Sequence, residues 1–170
     1  FAHEVNQPDA EINLACAALV MGRFEYFDLD VSGYLNKIDR LAESAGRAIQ
    51  SAELPALMLA QFLFDTLGFT GNARNYSDPR NSYLNQVLER RLGIPISLSV
   101  VYLALAEGLG IPARGIGLPG HFIVGIPVAE EMYFLDPFYG GNRLSIEDCS
   151  QLVLQATGYA GPFKREWLQP

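Results

Sequence analysis

Apolar residues recur at helical intervals through the first half of the chain and give way to aromatic and β-branched runs in the second. Pro8-Asp9 reads as a helix start, with Ile12, Cys16 and Leu19 at helical spacing before polar Arg23, which predicts a helix of about four turns. A second amphipathic helix follows from Tyr34, Leu35, Ile38, Leu41, Ala42, Ala45, Ala48 and Ile49, with Lys37, Arg40, Glu43 and Arg47 on its wet side. Leu54 to Leu67 is nearly all apolar and predicts a third helix, buried on most of its surface and ended by Gly68. Tyr83, Leu84, Val87, Leu88 and Arg91 mark a short helix capped by Asp78 or Asn81 and closed by Gly93. From Ser97 to Leu109 almost no polar face remains, so this helix is expected to run through the core.

Between the third and fourth helices, the stretch 68–79 is rich in glycine, asparagine and Asp-Pro turn signals. A loop of that length without regular structure is uncommon in a compact domain, so it is expected to serve a function or to be held by side-chain hydrogen bonds. After Gly110-Ile-Pro-Ala-Arg114, the apolar segments on either side of 127–131 predict a two-stranded antiparallel hairpin. If its loop is centred near Val128 and Ala129, His121 and Asp136 stand opposite each other, about 4.5–5.5 Å apart at Cβ. A carboxylate there would fix the tautomer of the imidazole and leave its other nitrogen free for proton transfer. Gly140-Gly141 then turns the chain, and Ser145 with Asp148 has the spacing of a capping box for a last helix reaching about Thr157. Helices first and antiparallel strands later make the class α+β, with an N-terminal helical half and a buried helix packed on an antiparallel sheet. One domain over 1–170 accounts for the length: a helical part to about 67, a core over about 68–158, and a tail over 159–170.

Composition narrows the function classes. Twelve basic against 19 acidic residues give a net charge of -7, which argues against nucleic-acid phosphates and anionic membrane surfaces as partners. No apolar run has the length of a membrane span, and the first residues carry no signal-like block, so a cytoplasmic protein is expected. Because the chain opens on Phe1 rather than Met, the natural protein is expected to continue beyond this end. Cys16 and Cys149 lie far apart without metal spacing, each in a predicted helix, so buried thiols are expected and no metal or other cofactor.

Taken together, the buried helix ending in Gly-Ile-Pro-Ala-Arg114, the strand with Gly120-His-Phe122 and the strand ending in Leu135-Asp-Pro137 resemble the transglutaminase-like superfamily, relatives of the papain-like cysteine enzymes. The resemblance implies that a cysteine near the start of the helix is activated by the histidine, which the aspartate orients. His121 and Asp136 match two of these places, but the helix start reads Gly93-Ile-Pro-Ile-Ser-Leu-Ser99, without a thiol. The motifs at 78–85, 87–91, 93–98, 118–122 and 136–138 look like the SirB-type branch, mainly bacterial, with likeness across roughly residues 10 to 155. Members of that branch are often followed by a tetratricopeptide-like helical region, which implies such a partner region missing from this chain.

Two hydroxyls stand where the thiol is missing. Ser97 and Ser99 are candidate substitute nucleophiles, since a first helical turn offers unpaired N–H groups to an oxyanion. The plainer reading of Ser97 is a helix cap, worth roughly 1 kcal/mol. A dyad built for a thiolate also does not serve a serine automatically, because the hydroxyl is far harder to deprotonate. Asn81, Tyr83, Asn85, Arg90 and Arg91 are candidates for a binding surface beside the histidine; alternatively the same segment caps its own turns and Arg80 pairs with a carboxylate. The sequence thus implies a binding or regulatory domain with a retained His–Asp pair, a peptide or protein its expected partner. The alternatives are a Ser-His-Asp hydrolase or acyltransferase and a purely structural interaction domain. Phe163 and Trp167 are expected to cover apolar surface.

Overall fold

A computed structural model describes residues 12–169. The predicted helix start at Pro8-Asp9 lies outside them. Helix α1 (Leu14–Gly22) is capped by Asn13, whose side-chain oxygen accepts from the Cys16 amide at 2.7 Å. Helix α2 (Val31–Ile49) begins a turn before the apolar periodicity does, because Asp30 caps it through the Gly33 amide at 2.9 Å. Of the predicted stripe, Ile38, Ala42, Ala45 and Ile49 are buried, Tyr34, Leu35 and Leu41 are half-buried, and Ala48 is exposed.

The third helix is not a single α-helix. It runs as α3 (Pro55–Gln61) and widens into a π turn over Phe62–Thr66. Gly68 follows at φ 73, a left-handed geometry that suits a residue without Cβ. The loop beyond it is partly regular. Strand β1 (Thr70–Gly71) pairs in parallel with β2 (Leu92–Gly93), and a 3-10 turn covers Pro79–Asn81. Helix α4 (Leu84–Arg90) departs from expectation at both ends. Asp78 caps the 3-10 turn rather than the helix, and Tyr83 is the N-terminal flanking residue without a side-chain cap. The helix closes at Arg91 in the left-handed region, φ 57, not at Gly93, which is paired in β2. Arg91 holds that unusual backbone while donating from Nη1 to the Leu67 carbonyl at 2.7 Å.

Helix α5 (Pro95–Gly108) starts two residues earlier than the periodicity suggested, with Pro95 in its first turn, where a missing N–H costs nothing. It does run through the core: Leu98, Val101, Tyr102 and Leu105 are fully buried. The Tyr102 hydroxyl donates to the Ala56 carbonyl at 2.8 Å and ties α5 to α3. Burial raises its pKa above the usual phenol range.

The predicted hairpin is the centre of a four-stranded antiparallel sheet in the order β3 (Arg114–Leu118), β4 (His121–Val128), β5 (Glu131–Asp136), β6 (Asn142–Leu144). Its register differs from the expected one by two residues. Val128 pairs with Glu131 and Val124 with Leu135, so the turn is the dipeptide Ala129-Glu130. Ala129 adopts φ 53, which turns of this kind usually reserve for glycine or asparagine, and the sequence therefore carries no turn signal there. Helix α6 (Ile146–Thr157) begins with the expected capping box: the Asp148 amide donates to Ser145 Oγ at 3.1 Å and the Ser145 amide to Asp148 Oδ2 at 2.8 Å.

The sheet separates two apolar clusters. Val124, Ile126 and Leu135 face the main core with α1 to α5. Ile116, Ile123 and Phe134 face α6 through Cys149 and Val153, and Phe163 and Trp167 of the tail cover this side as expected.

Candidate functional site at His121

His121 opens β4 immediately after the Pro119-Gly120 turn. Gly120 has φ 75, and a Cβ there would lie 2.6 Å from the Cβ of Ala156, so a side chain would be excluded by α6 as well as by the backbone. Asp136 closes β5 and is completely buried. Its Oδ2 lies 2.9 Å from His121 Nε2. Its Oδ1 accepts from the Phe138 amide at 2.9 Å and the Tyr139 amide at 3.3 Å. The carboxylate, an acceptor, makes Nε2 the protonated nitrogen and leaves Nδ1 as the acceptor of the neutral ring. The pair expected from the sequence is therefore formed, with its orientation set by a turn that spends the other carboxylate oxygen on backbone N–H groups.

The His121 ring opens into a cleft of about 340 Å³ walled by Tyr76, Pro95, Phe138, Tyr139, Leu152 and Gln155, among others. Four chain segments converge here: the long loop, the start of α5, the end of the sheet and α6. Gly71 brings the loop against the floor of this cleft. Its amide donates to the Phe138 carbonyl at 3.1 Å, and a Cβ at that position would stand 2.5 Å from the same oxygen. A second cavity of about 310 Å³ shares Tyr139, Leu152 and Gln155 and continues past Asn142 and Gln151.

From α5 it is Pro95 that reaches the cleft. Ser97 and Ser99 are buried and turned to backbone. Ser97 Oγ donates to the Asn81 carbonyl at 2.6 Å and accepts from the Ile94 amide at 3.0 Å, so it is indeed a cap, acting from the third helical position. Ser99 Oγ donates to the Pro95 carbonyl at 2.8 Å. Neither lines the cleft. Cys149 is buried beneath the sheet, and that burial, followed by the Asp148 and Asp136 carboxylates, pushes its thiol up to about 11. Cys16 sits half-buried on α1.

The polar segment 78–91 forms a strut beside the cleft rather than its lining. Asp78 accepts from Arg80 Nη2 at 2.8 Å and from Arg90 Nη2 at 3.2 Å, and the Arg80 hydrogen bond holds its carboxyl below the ordinary range. Asn81, fully buried, accepts from Asn72 Nδ2 at 3.0 Å and donates to the Asn75 and Tyr76 carbonyls at 2.8 and 3.1 Å. Tyr83 packs edge-on against Tyr26, centroids 5.4 Å apart; Asn85 is buried in α4; Arg91 reaches Leu67. None of Asn81, Tyr83, Asn85, Arg90 and Arg91 lines the His121 cleft. Asn81 nonetheless positions the cleft wall through Tyr76. Among the lining residues that the sequence did not single out are Tyr76, Tyr139 and Gln155. The aromatic pair after Asp136-Pro137 was a readable signal for Tyr139, whereas Gln155 comes into place only by the docking of α6.

Among the described residues, no group of three His, Cys, Asp or Glu side chains is arranged to hold a metal ion, and no helix is long and apolar enough to cross a membrane.

A buried helix whose first turn meets a strand-borne histidine–aspartate pair, on an antiparallel sheet, defines an α+β core of transglutaminase-like architecture. The chain belongs to the transglutaminase-like superfamily, whose family model matches residues 32–170. It is 41% identical to a UPF0162 protein of Xylella fastidiosa over 95% of its own length and 58% of that protein's. A UPF0162 protein of Vibrio cholerae is 37% identical over 62% of this chain and 38% of its own. Human F-box only protein 21 is 32% identical over 88% of this chain, which corresponds to 24% of that protein. The chain thus spans little more than half the length of the Xylella relative. No solved structure matches it significantly.

Proposed function

We propose that this domain is a binding or regulatory module of the SirB-type branch, which lacks the thiol nucleophile and keeps His121 and Asp136 as part of a ligand cleft. One observation carries the reading. The α5 residue at the cleft is Pro95, while the hydroxyls of Ser97 and Ser99 are bonded to the Asn81 and Pro95 carbonyls. A nucleophile must lie within hydrogen-bond reach of its base, and these two are held elsewhere. Ligand binding needs only the cleft, whose 340 Å³ lies within the range of small-ligand sites, roughly 300–1,000 Å³. The expected partner is a protein or peptide, and a tetratricopeptide-like region of the kind that often follows members of that branch is one source of it. The greater length of the Xylella relative is consistent with a module that works beside other segments.

The test is covalent labelling of intact protein with fluorophosphonate and chloroacetamide probes, mapped by mass spectrometry in wild type and His121→Ala. No adduct at Ser97, Ser99, Cys16 or Cys149 is expected to depend on His121. An adduct at either serine that disappears in His121→Ala would replace this reading with a serine hydrolase or acyltransferase.

A further inference from the structure

We infer that the groove at the far end of β4 from His121 docks an amphipathic helix of a partner polypeptide, its apolar face flanked by lysine or arginine. This surface is separate from the His121 cleft, and the inference stands without any reading of that cleft.

The groove is a cavity of about 510 Å³ where four segments meet: the end of α2 at Gly46 and Ile49, the start of α3 at Leu54 and Leu57, the turn after α5 at Ile111, and the end of β4 at Val128. Ile49 is buried in its wall, Leu57, Ile111 and Val128 are half-buried, and Leu54 is exposed. Val128 is the last residue of β4 and His121 the first, so at about 3.3 Å per residue the two sites stand roughly 23 Å apart along the strand. Single exposed apolar residues are ordinary on a protein surface, whereas a contiguous concave set of them is the form of a contact site.

The charge around the groove selects a cationic occupant. Among the described residues, Glu53 is its one charged lining residue. Glu131 stands opposite Val128 in the hairpin, with Glu130 beside it in the turn. All three carboxylates are exposed, and none is paired within the described residues. The C-terminal ends of α2 and α5 converge here as well: a Cβ on Gly46 would stand 3.0 Å from Leu109 Cδ2, and one on Gly108 3.3 Å from the Cβ of Ala42. Helix C-termini carry partial negative charge. Arg47 is the one basic residue in the last turn of either helix; it is exposed and does not line the groove. The start of α3 carries the opposite partial charge, but its Leu57 and Met58 amides already donate to the Leu54 carbonyl at 3.1 and 3.2 Å.

The rim selects a helix over an extended peptide. Pro55, Pro112 and Pro127 line the groove and are exposed. A proline has no N–H, so the rim lacks the row of donors that strand addition requires. A helix satisfies its own backbone and needs only an apolar face to fill the groove. A second copy of this chain fits poorly. Its most exposed large apolar side chains, among the described residues, are Phe24 and Phe27, at 77% and 82%. Glu25 and Asp28 are interleaved with them and exposed, and would be brought against Glu53.

The experiment is fluorescence anisotropy of labelled peptides titrated with the intact protein. The first peptide is a helix of about four turns with leucine at i, i+3, i+4 and i+7 and lysine on the flanks. The others replace its lysines by glutamate, its leucines by serine, or a central residue by proline. The lysine peptide is expected to bind roughly tenfold tighter than the glutamate peptide and to weaken as salt is raised. The serine and proline versions are expected not to bind. Glu53→Lys should abolish the preference for lysine over glutamate, and Leu54→Ser should weaken the lysine peptide; both residues are exposed, so the core is left intact. Phe24→Ser with Phe27→Ser alters the other apolar patch and should change nothing. Equal binding of the lysine and glutamate peptides, no binding of the lysine peptide, undiminished binding of the proline version, or a loss in the Phe24/Phe27 variant but not in Leu54→Ser overturns the inference. Self-association in analytical ultracentrifugation that Leu54→Ser removes would assign the groove to a second copy and overturn it too. Covalent labelling reports on the other end of β4, so the binding-module reading and this surface fail separately.

Discussion

His121 Nε2 donates to Asp136 Oδ2 across 2.9 Å although the two residues are not directly opposite on their strands. Continuing the register Val124 to Leu135 by one residue sets Asp136 against Ile123, so the pair is diagonal, on the face that looks toward α6. Diagonal neighbours on one face lie within reach of long side chains, and the Asp136 turn aims the carboxylate the rest of the way.

Replacing that carboxylate should separate its two duties. Asp136→Asn keeps an oxygen for the Phe138 and Tyr139 amides and is expected to cost about 1–2 kcal/mol, while Asp136→Ala strands all three donors, the Phe138 amide among them buried, and should cost about 3 kcal/mol or more. Urea unfolding followed by circular dichroism measures both. Equal losses would mean that the backbone contacts contribute nothing.

Asn81 is the link between the polar strut and the cleft. Asn81→Ala leaves the Asn75 and Tyr76 carbonyls without their donor and is expected to destabilise by roughly 3 kcal/mol. It should also increase the mobility of the Tyr76 ring, seen as line broadening or averaging in NMR spectra of specifically labelled tyrosine. An unchanged Tyr76 signal would contradict the link.

The two serines should respond differently to the same change. Ser97→Ala removes a hydroxyl that bridges the Ile94 amide and the Asn81 carbonyl, at a cost of about 1–2 kcal/mol. Ser99→Ala removes a bond to a helix carbonyl four residues back and replaces serine by a better helix former, so a change within about 1 kcal/mol is expected. Thermal denaturation of the two variants side by side checks the order, and a reversed order would refute it.

Cys149 gives a stability change at high pH. Its folded thiol is pushed up to about 11 from an ordinary value of 9.0, chiefly by burial. A raised value means that the contribution is complete below about pH 9 and is lost as pH climbs toward 11, because the unfolded thiol ionises first. The loss should amount to at most about 2–3 kcal/mol. Denaturant unfolding between pH 8 and 11 should show this slope in wild type and a shallower one in Cys149→Ala; identical slopes would rule it out.

Much of this was legible in the amino-acid order, and the exceptions share a cause. The Ser145–Asp148 capping box, the buried run of α5 and the inner face of α2 depend on neighbours within a turn or two and appear as the spacing predicts, although both helices begin earlier than their apolar periodicity does. The hairpin turn was misplaced because Ala129 takes a left-handed conformation without the residue type that announces one. The end of α4 was misplaced for the same reason, with Arg91 left-handed while Gly93 sits in a strand. Neither error disturbed the His121–Asp136 pair. A register change of two residues returns every side chain to its original face, whereas a change of one would have sent the two to opposite sides of the sheet.

The sequence by itself determined the α+β order of elements, the buried helix and the common face of His121 and Asp136, because local spacing specifies which side of an element is apolar. Tertiary structure alone decided what surrounds them. Tyr76 arrives from the long loop, Pro95 from the start of α5 and Gln155 from α6, while Ser97 and Ser99 are claimed by the Asn81 and Pro95 carbonyls. Which hydroxyl meets a carbonyl and which ring meets a histidine depends on how distant segments pack and satisfy their backbone groups, and no periodicity records that.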